Sequence, residues 1–328
     1  MSKRDRSIDF LRGSAIIFMT ITHINAVYYT GFNPILDFLT TAGATICFSI
    51  FLFCSAYVTG ISIQEGKVLN IEKTLIRSFK IYLTYILISF LIIISLNKAL
   101  SVKNITGIIL ITNPPEFSEF LVSLALFSLL TILIYKPIQL LKGNLLPFVI
   151  FSIAIFITGI LMYQVTTNII LVGWKQLLVE NLFGYKDLHR FPIFFYFPIY
   201  TFGILLSYLK KENLLIYISL FFFILITVFN VFNLSSWHRW PPSILFLSYG
   251  FAYIPFILFM FKENILRINL LNRIGEVPLE QFILSTVLVF LPFIFIGQTE
   301  STSITVLINI LALSILVLEP IVIHRNVV

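Results

Sequence analysis

The histidine His23 lies eleven residues beyond Arg12, with no charged residue between them. If that stretch is helical, a rise of about 1.5 Å per residue puts the imidazole roughly 16 Å from the arginine, which carries it from a membrane boundary to about mid-bilayer. An ionisable group at that depth is costly, so it faces a bundle interior or a wet cavity, where imidazole can accept and return a proton at neutral pH. An interhelical hydrogen bond is the competing explanation. Asp9 and Arg12 are three apart and share a helix face. They can pair as an interfacial anchor or present a cation to an anion.

A second group of cations follows the second apolar run. Lys67, Lys73, Arg77 and Lys80 lie together, with Arg77 and Lys80 three apart at the start of a helical pattern that continues Ile81, Tyr82, Leu83. Two cations on one face can hold phosphates, since Arg forks around the oxygens and Lys supplies a point charge. A basic cytoplasmic loop is also what membrane orientation alone demands. Two later segments combine aromatic and basic residues: Trp174 with His189 and Arg190, and Trp237, His238, Arg239 and Trp240. Flat aromatic faces suit the apolar faces of sugars, and equally suit the headgroup level of any membrane protein. Asp37, Glu280 and Glu319 read as interfacial charges.

The elements that must position these residues are transmembrane helices. Of the 328 residues 59% are hydrophobic and 11% charged, and mean hydropathy is +1.00, outside the balance of a soluble domain. Stretches free of Asp, Glu, Lys and Arg run over 13–36, 38–64, 81–97, 120–135, 143–174, 191–209, 213–238, 240–261, 281–299 and 301–318. Long charge-free runs favour helices over barrel strands. The run 104–115 ends in Asn113-Pro114-Pro115 and is too short to cross, so a re-entrant or interfacial piece is expected. The fold class is therefore all-α, a polytopic bundle of about ten spans forming one integral membrane domain over 1–328, with no soluble domain and no tandem repeat.

With the N-terminus in the cytoplasm, sixteen of the 22 Lys and Arg fall inside and six outside, which fixes both termini as cytoplasmic under the positive-inside rule, in a cell (inner) membrane. The first run lacks a small-residue cleavage site and is read as a retained span rather than a signal peptide. The net charge of +7 is spread over loops, so it reports orientation and does not imply nucleic acid. Cys47 and Cys54 sit within one apolar run and are expected to be small packing residues, without redox or metal function.

The run Arg6-x-x-Asp9-x-x-Arg12-Gly13, followed by His23, resembles the start of the acyltransferase-3 family of membrane acyltransferases, which is related to the heparan-α-glucosaminide N-acetyltransferases. The stretch from Phe48 to Tyr57 is similar to that family's second-span pattern ending in Ser-Gly-Phe, and Arg77-x-x-Lys80-Ile81-Tyr82 to its Arg-x-x-Arg-Ile-x-Pro element. Arg239-Trp240-Pro241-Pro242-Ser243 and Ile274-Gly275-Glu276-Val277-Pro278-Leu279 extend the resemblance over most of the chain, its specific part being the first 80 residues. Departures from the pattern are Lys80 for Arg, Ala56 for Gly, Pro278 for a late Ser, and Ser285 where many members have a second His.

The resemblance implies a ten-helix bundle that moves an acyl group, commonly acetyl, from cytoplasmic acyl-CoA to a hydroxyl of an extracytoplasmic carbohydrate or glycan. Acyl-CoA would be a donor substrate, with no permanently bound cofactor and no metal. The resemblance assigns His23 as catalytic, Arg12, Arg77 and Lys80 to the donor, and Asp9 to support of Arg12. His189, Arg190, Trp237, His238 and Arg239 are candidates for the acceptor. Thioester transfer needs a base for the nucleophile's proton and a positive or hydrogen-bonding partner for the developing oxyanion; whether His23 acts only as that base or is itself acylated first stays open at this level. Two other readings fit the same composition: a transporter or flippase of a polar solute, and a family member without catalysis.

Overall fold

The computed structural model describes residues 5–96, 101–141, 143–185, 191–209, 213–235, 237–263 and 269–325. These form thirteen helices: α1 Arg6–Tyr28, α2 Pro34–Gln64, α3 Ile71–Ser95, α4 Val102–Ile109, α5 Glu119–Leu140, α6 Leu146–Thr167, α7 Trp174–Phe183, α8 Ile193–Ser207, α9 Asn213–Val231, α10 Ile244–Lys262, α11 Asn269–Glu276, α12 Pro278–Ile296 and α13 Thr302–Arg325. No strand is present among the described residues. Among the described residues nine helices are long and apolar enough to span a membrane, and α8 is a shorter apolar one. With α8 they correspond one to one to the ten charge-free runs. The run 104–115 forms the eight-residue α4, held at α3 by Tyr85 and Tyr82, whose hydroxyls donate to the carbonyls of Ile108 and Ile109.

Polar residues at the helix starts satisfy backbone donors that the first turn leaves unpaired. Asp5 accepts from the Ser7 amide at 3.0 Å, Asn33 from Ile35 at 3.0 Å, and Asn70 from Lys73 at 2.8 Å. Pro278 occupies the first turn of α12, where its missing N–H costs nothing.

Among the nine long helices, α1 has the lowest hydropathy and the most buried window, 72%, while the two most apolar, α6 and α9, are 17% buried. Lipid cannot satisfy Ser, Thr, Asn, Asp or His, so the helix richest in them is drawn inside, while helices with few polar side chains bury those on one narrow face, as α6 does Ser152 and α9 Ser219, and turn the rest to hydrocarbon.

The chain divides into two compact units. The first comprises Met1–Phe51, Ile88–Leu100 and Phe256–Val328. It is organised on α1, which packs against α11, α12 and α13. A Cβ on Gly13 would lie 2.0 Å from the Leu271 carbonyl oxygen, and one on Gly275 would lie 1.8 Å from the Asp9 carbonyl oxygen. Both glycines stand at a crossing where backbone meets backbone, so the Gly of the early motif and the Gly of the late one are two halves of one contact. At the other end, Tyr28 donates to the Val289 carbonyl at 2.7 Å.

The second unit comprises Leu52–Leu87 and Ser101–Pro255. Here α2 and α8 meet through small residues four apart on each helix, Ala56 and Gly60 against Gly203 and Ser207, the arrangement that lets helices approach closely in a bilayer. Gln64 Nε2 donates to Ser207 Oγ at 2.8 Å beyond this seam. Ala56 departs from the Gly of the resembling motif, and Gly203 opposite supplies the room.

Candidate functional site

In the first unit, His23 is 7% exposed in the C-terminal half of α1, three turns beyond Arg12. Its surroundings are polar for a membrane interior. Thr22 Oγ1 donates to the Thr40 carbonyl at 3.3 Å, Asn25 Nδ2 to that of Leu36 at 3.3 Å, and Asn309 Nδ2 to Asn25 Oδ1 at 2.9 Å. Asn25 and Asn309 are both buried. The bilayer offers no water for these amides, so bonding each other and backbone carbonyls is how they can be carried at this depth.

At the opposite end of α1, Asp9 is buried and Arg12 Nη1 lies 3.6 Å from its carboxylate. The pairing expected from the i, i+3 spacing is present. The Gly13–Gly275 crossing stands beside it, since Asp9 lends its own carbonyl to that contact. Ser285, in the place of a second His, is buried on α12 and donates to the Phe282 carbonyl of its own helix at 2.7 Å. Gln281 bonds the Glu319 carboxylate, tying α12 to α13, so Glu319 has a specific partner, whereas Glu280 and Asp37 are exposed.

In the second unit, α2, α3 and α5 enclose a cavity of about 280 Å³. Its rim carries the exposed cations Lys67, Lys73 and Arg77, and its floor the buried hydroxyls of Ser128, Thr131 and Tyr135. Three bonds set its shape. Arg77 Nη2 donates to Ser55 Oγ at 3.4 Å, Ser78 Oγ to the Ala125 carbonyl at 3.0 Å, and the Tyr135 hydroxyl to the Lys67 carbonyl at 2.8 Å. The first turn of α3, capped by Asn70, also faces the cavity, so the positive end of that helix dipole adds to the three cations. Such a rim suits a polyanion, with hydroxyls below it for polar groups that carry no charge.

Lys80 is exposed one turn further along α3 and does not line this cavity. The spacing that puts it on the face of Arg77 also carries it along the axis, past the rim. Lys67 and Lys73 join Arg77 instead; the sequence displays both as loop cations, but only the fold of α2 back onto α3 and α5 turns them inward.

The aromatic and basic segment between α9 and α10 forms a tight turn. Arg239 bridges to Pro242, the Ser243 amide donates to the His238 carbonyl at 3.0 Å, and the Trp240–Pro241 bond is cis. The Arg239 guanidinium stacks 4.2 Å from the Trp240 ring and 5.3 Å from the Phe191 ring, and its buried Nε has no hydrogen-bond partner among the described residues. Trp237 packs at 5.4 Å on Phe246 and stays 39% exposed; His238 is exposed. Phe191 is the hub beneath the turn, in ring contact with Phe120 and Tyr196, while Ser123 Oγ donates to its carbonyl at 2.7 Å. Tyr196 is fully buried. Glu119, 3% exposed at the first turn of α5, was not a candidate from sequence. The available signal was a carboxylate directly against an apolar run. His189 and Arg190 lie outside the described residues.

The two cysteines are buried thiols, and Cys47 Sγ donates to the Ala15 carbonyl oxygen at 3.4 Å.

A family model described as heparan-alpha-glucosaminide N-acetyltransferase, catalytic, matches residues 4–220, about two thirds of the chain. No curated protein and no solved structure gives a match.

Proposed function

The chain belongs to the heparan-alpha-glucosaminide N-acetyltransferase catalytic family, and from that premise we propose that it transfers an acetyl group from cytoplasmic acetyl-CoA to a carbohydrate nucleophile on the other side of the membrane. Of the two families in the resemblance, the match speaks for the heparan-α-glucosaminide one and not specifically for acyltransferase-3. The observation that carries the donor reading is the cavity where Lys67, Lys73 and Arg77 converge over buried hydroxyls. Coenzyme A bears three phosphate groups, and the cations at this helix N-terminus offset part of their charge, with Arg77 forking around phosphate oxygens, Lys73 acting as a point charge and Lys67 shared with the carboxylate of Glu65. The resemblance also assigns Arg12, paired with Asp9 in the first unit, to the donor, and Lys80 at the exposed surface of α3 has the smaller role.

His23 is the base. It takes the proton of the acceptor O–H or N–H as the acceptor's oxygen or nitrogen bonds to the thioester carbonyl carbon. The C–S bond then breaks, and coenzyme A leaves as a thiolate that recovers the proton. The resemblance favours a sugar hydroxyl and the family description an amino sugar. Mild alkali separates them, releasing acetate from an ester and leaving an amide intact.

The test is transfer of radiolabelled acetyl from acetyl-CoA by purified protein, beside thermal stability and donor affinity. His23→Ala should keep the fold and donor binding and lower turnover by about 10²–10⁴-fold. His23→Gln should not restore turnover, because an amide cannot take the proton at neutral pH. A purely packing histidine gives the opposite pattern, a stability loss of about 1 kcal/mol that Gln largely restores. Substantial transfer by a folded His23→Ala protein would return this residue to the packing of α1.

A further inference from the structure

The cavity of the second unit is a trough with two unlike ends. Its walls include Ser55, Thr59 and Ser62 of α2 and Ser128, Thr131 and Tyr135 of α5, spaced so that each set lies on one side of its helix. Seven residues of helix give the trough a length of about 10 Å. At one end Arg77 Nη2 donates to Ser55 Oγ at 3.4 Å, and at the other the Tyr135 hydroxyl donates to the Lys67 carbonyl at 2.8 Å. Lys73 lies one turn before Arg77 on α3, where its amide donates to the Asn70 cap at 2.8 Å, so it belongs to the Lys67 end.

The middle of the trough is polar but holds little for an anion. Thr59 Oγ1 donates to the Ser55 carbonyl at 3.0 Å, and Thr131 Oγ1 donates to the Phe127 carbonyl at 2.9 Å while it shares a 2.7 Å bond with the buried Tyr200 hydroxyl. A hydroxyl has one proton, so neither threonine has one left for a phosphate oxygen. The two ends also offer different cations. The planar fork of Arg77 spans neighbouring oxygens, as a diphosphate presents them, whereas a lysine is a point charge suited to one phosphate. Lys67 already pairs with the Glu65 carboxylate, and Lys73 has no carboxylate partner among the described residues. A ligand that fits carries two anionic groups set apart by an uncharged polar part.

We propose that Lys73 reads the 3′-phosphate of the donor nucleotide while Arg77 holds its 5′-diphosphate, with the ribose lying between the hydroxyl-bearing faces of α2 and α5. Lys73 is then the residue that separates coenzyme A from its 3′-dephospho form. The proposal rests on reading this cavity as the donor site.

The test is calorimetric titration of the full-length protein in detergent with coenzyme A and with 3′-dephospho-coenzyme A. Neither carries an acyl group, so binding is read apart from transfer. The parent protein should bind coenzyme A about tenfold more tightly, the low end for a charge-assisted bond at an exposed site. Lys73→Ala should weaken coenzyme A by about that factor and leave the 3′-dephospho form unchanged, which erases the preference. Lys73→Arg keeps the charge and should keep the preference. Arg77→Ala should weaken both ligands alike. A lysine that only shaped the cavity would move both affinities together.

Equal affinity of the parent protein for the two ligands overturns the proposal and leaves the cavity as a donor site. A folded Lys73→Ala protein that keeps the preference, or that loses both ligands in equal measure, overturns it too. Failure of the parent protein to bind either ligand sinks the donor reading itself.

Discussion

Gly13 follows directly on Arg12 of the early motif, and its replacement by alanine tests whether that motif is first of all a place where two helices touch. A Cβ at this position would lie 2.0 Å from the Leu271 carbonyl oxygen and 2.8 Å from its carbonyl carbon. Ordinary contact needs roughly 3.4 Å, so α1 and α11 would have to part by about 1.4 Å. The obstacle is backbone on both sides, which no rotamer change can relieve. Overpacking of this kind costs about 1–3 kcal/mol and sometimes more, and a backbone partner puts Gly13→Ala at or above the top of that range.

Gly60→Ala is the matched comparison. Its Cβ would come 2.2 Å from Ser207 Oγ, 3.0 Å from Ser207 Cβ and 3.2 Å from the Ile204 Cα, so the severe contact is with a hydroxyl that can rotate away at the loss of its bonds to Gln64 and the Ile204 carbonyl. The cost there should fall near the lower end, about 1 kcal/mol, and Ser207→Ala should recover most of it. The assay is thermal unfolding of the two single variants and of Gly60→Ala/Ser207→Ala in one detergent, with acetyl transfer measured beside it. Gly13→Ala should be clearly the least stable and should lose transfer, because Asp9 and Arg12 ride on the same crossing. A Gly13→Ala protein as stable as Gly60→Ala would refute the argument, since it would mean that α11 yields freely and that the crossing fixes nothing.

Three further outcomes follow from the same structure. Arg77→Ala and Lys73→Ala should each weaken acetyl-CoA binding by up to about tenfold, the modest size expected of exposed cations, and Lys80→Ala should change it less; calorimetric titration ranks the three, and a larger loss at Lys80 would move the donor out of the cavity. Gly203→Ala should destabilise the second unit, its Cβ meeting both the Ala56 Cβ and the Phe53 carbonyl oxygen at 2.7 Å, and Ala56→Gly should recover only part of the loss in thermal unfolding because the carbonyl stays where it is. A cysteine placed at Lys73 should resist an impermeant reagent in intact cells while one at Lys186 reacts, as the division of basic residues requires, and the reverse pattern would invert the orientation.

Much of the architecture is legible in one dimension because the bilayer acts on each segment separately. A helix must be apolar over about 20 residues to cross, so the ten runs, the short α4 and the Asp9–Arg12 pairing follow from local composition and spacing. His23 stands out for the same reason, as an ionisable group within an apolar run. Arg77 could be singled out as a cation near a helix start, but its partners could not. Lys80 shares its face by spacing, yet Lys67 and Lys73 share its cavity, because the cavity is made by α2 and α5 closing around the first turns of α3. Glu119 stands in the sequence as a carboxylate against an apolar run, and only the packed helices show that it is buried. Gly13 and Gly275 are more than 260 residues apart, and no pattern along the chain says that each exists to admit the other's helix. Composition and period thus determined which segments cross the membrane and which residues are expensive there, since those costs belong to one helix and its solvent. Which cations line one cavity and which glycines face each other were decided by tertiary structure, because each is a property of two or more helices at once.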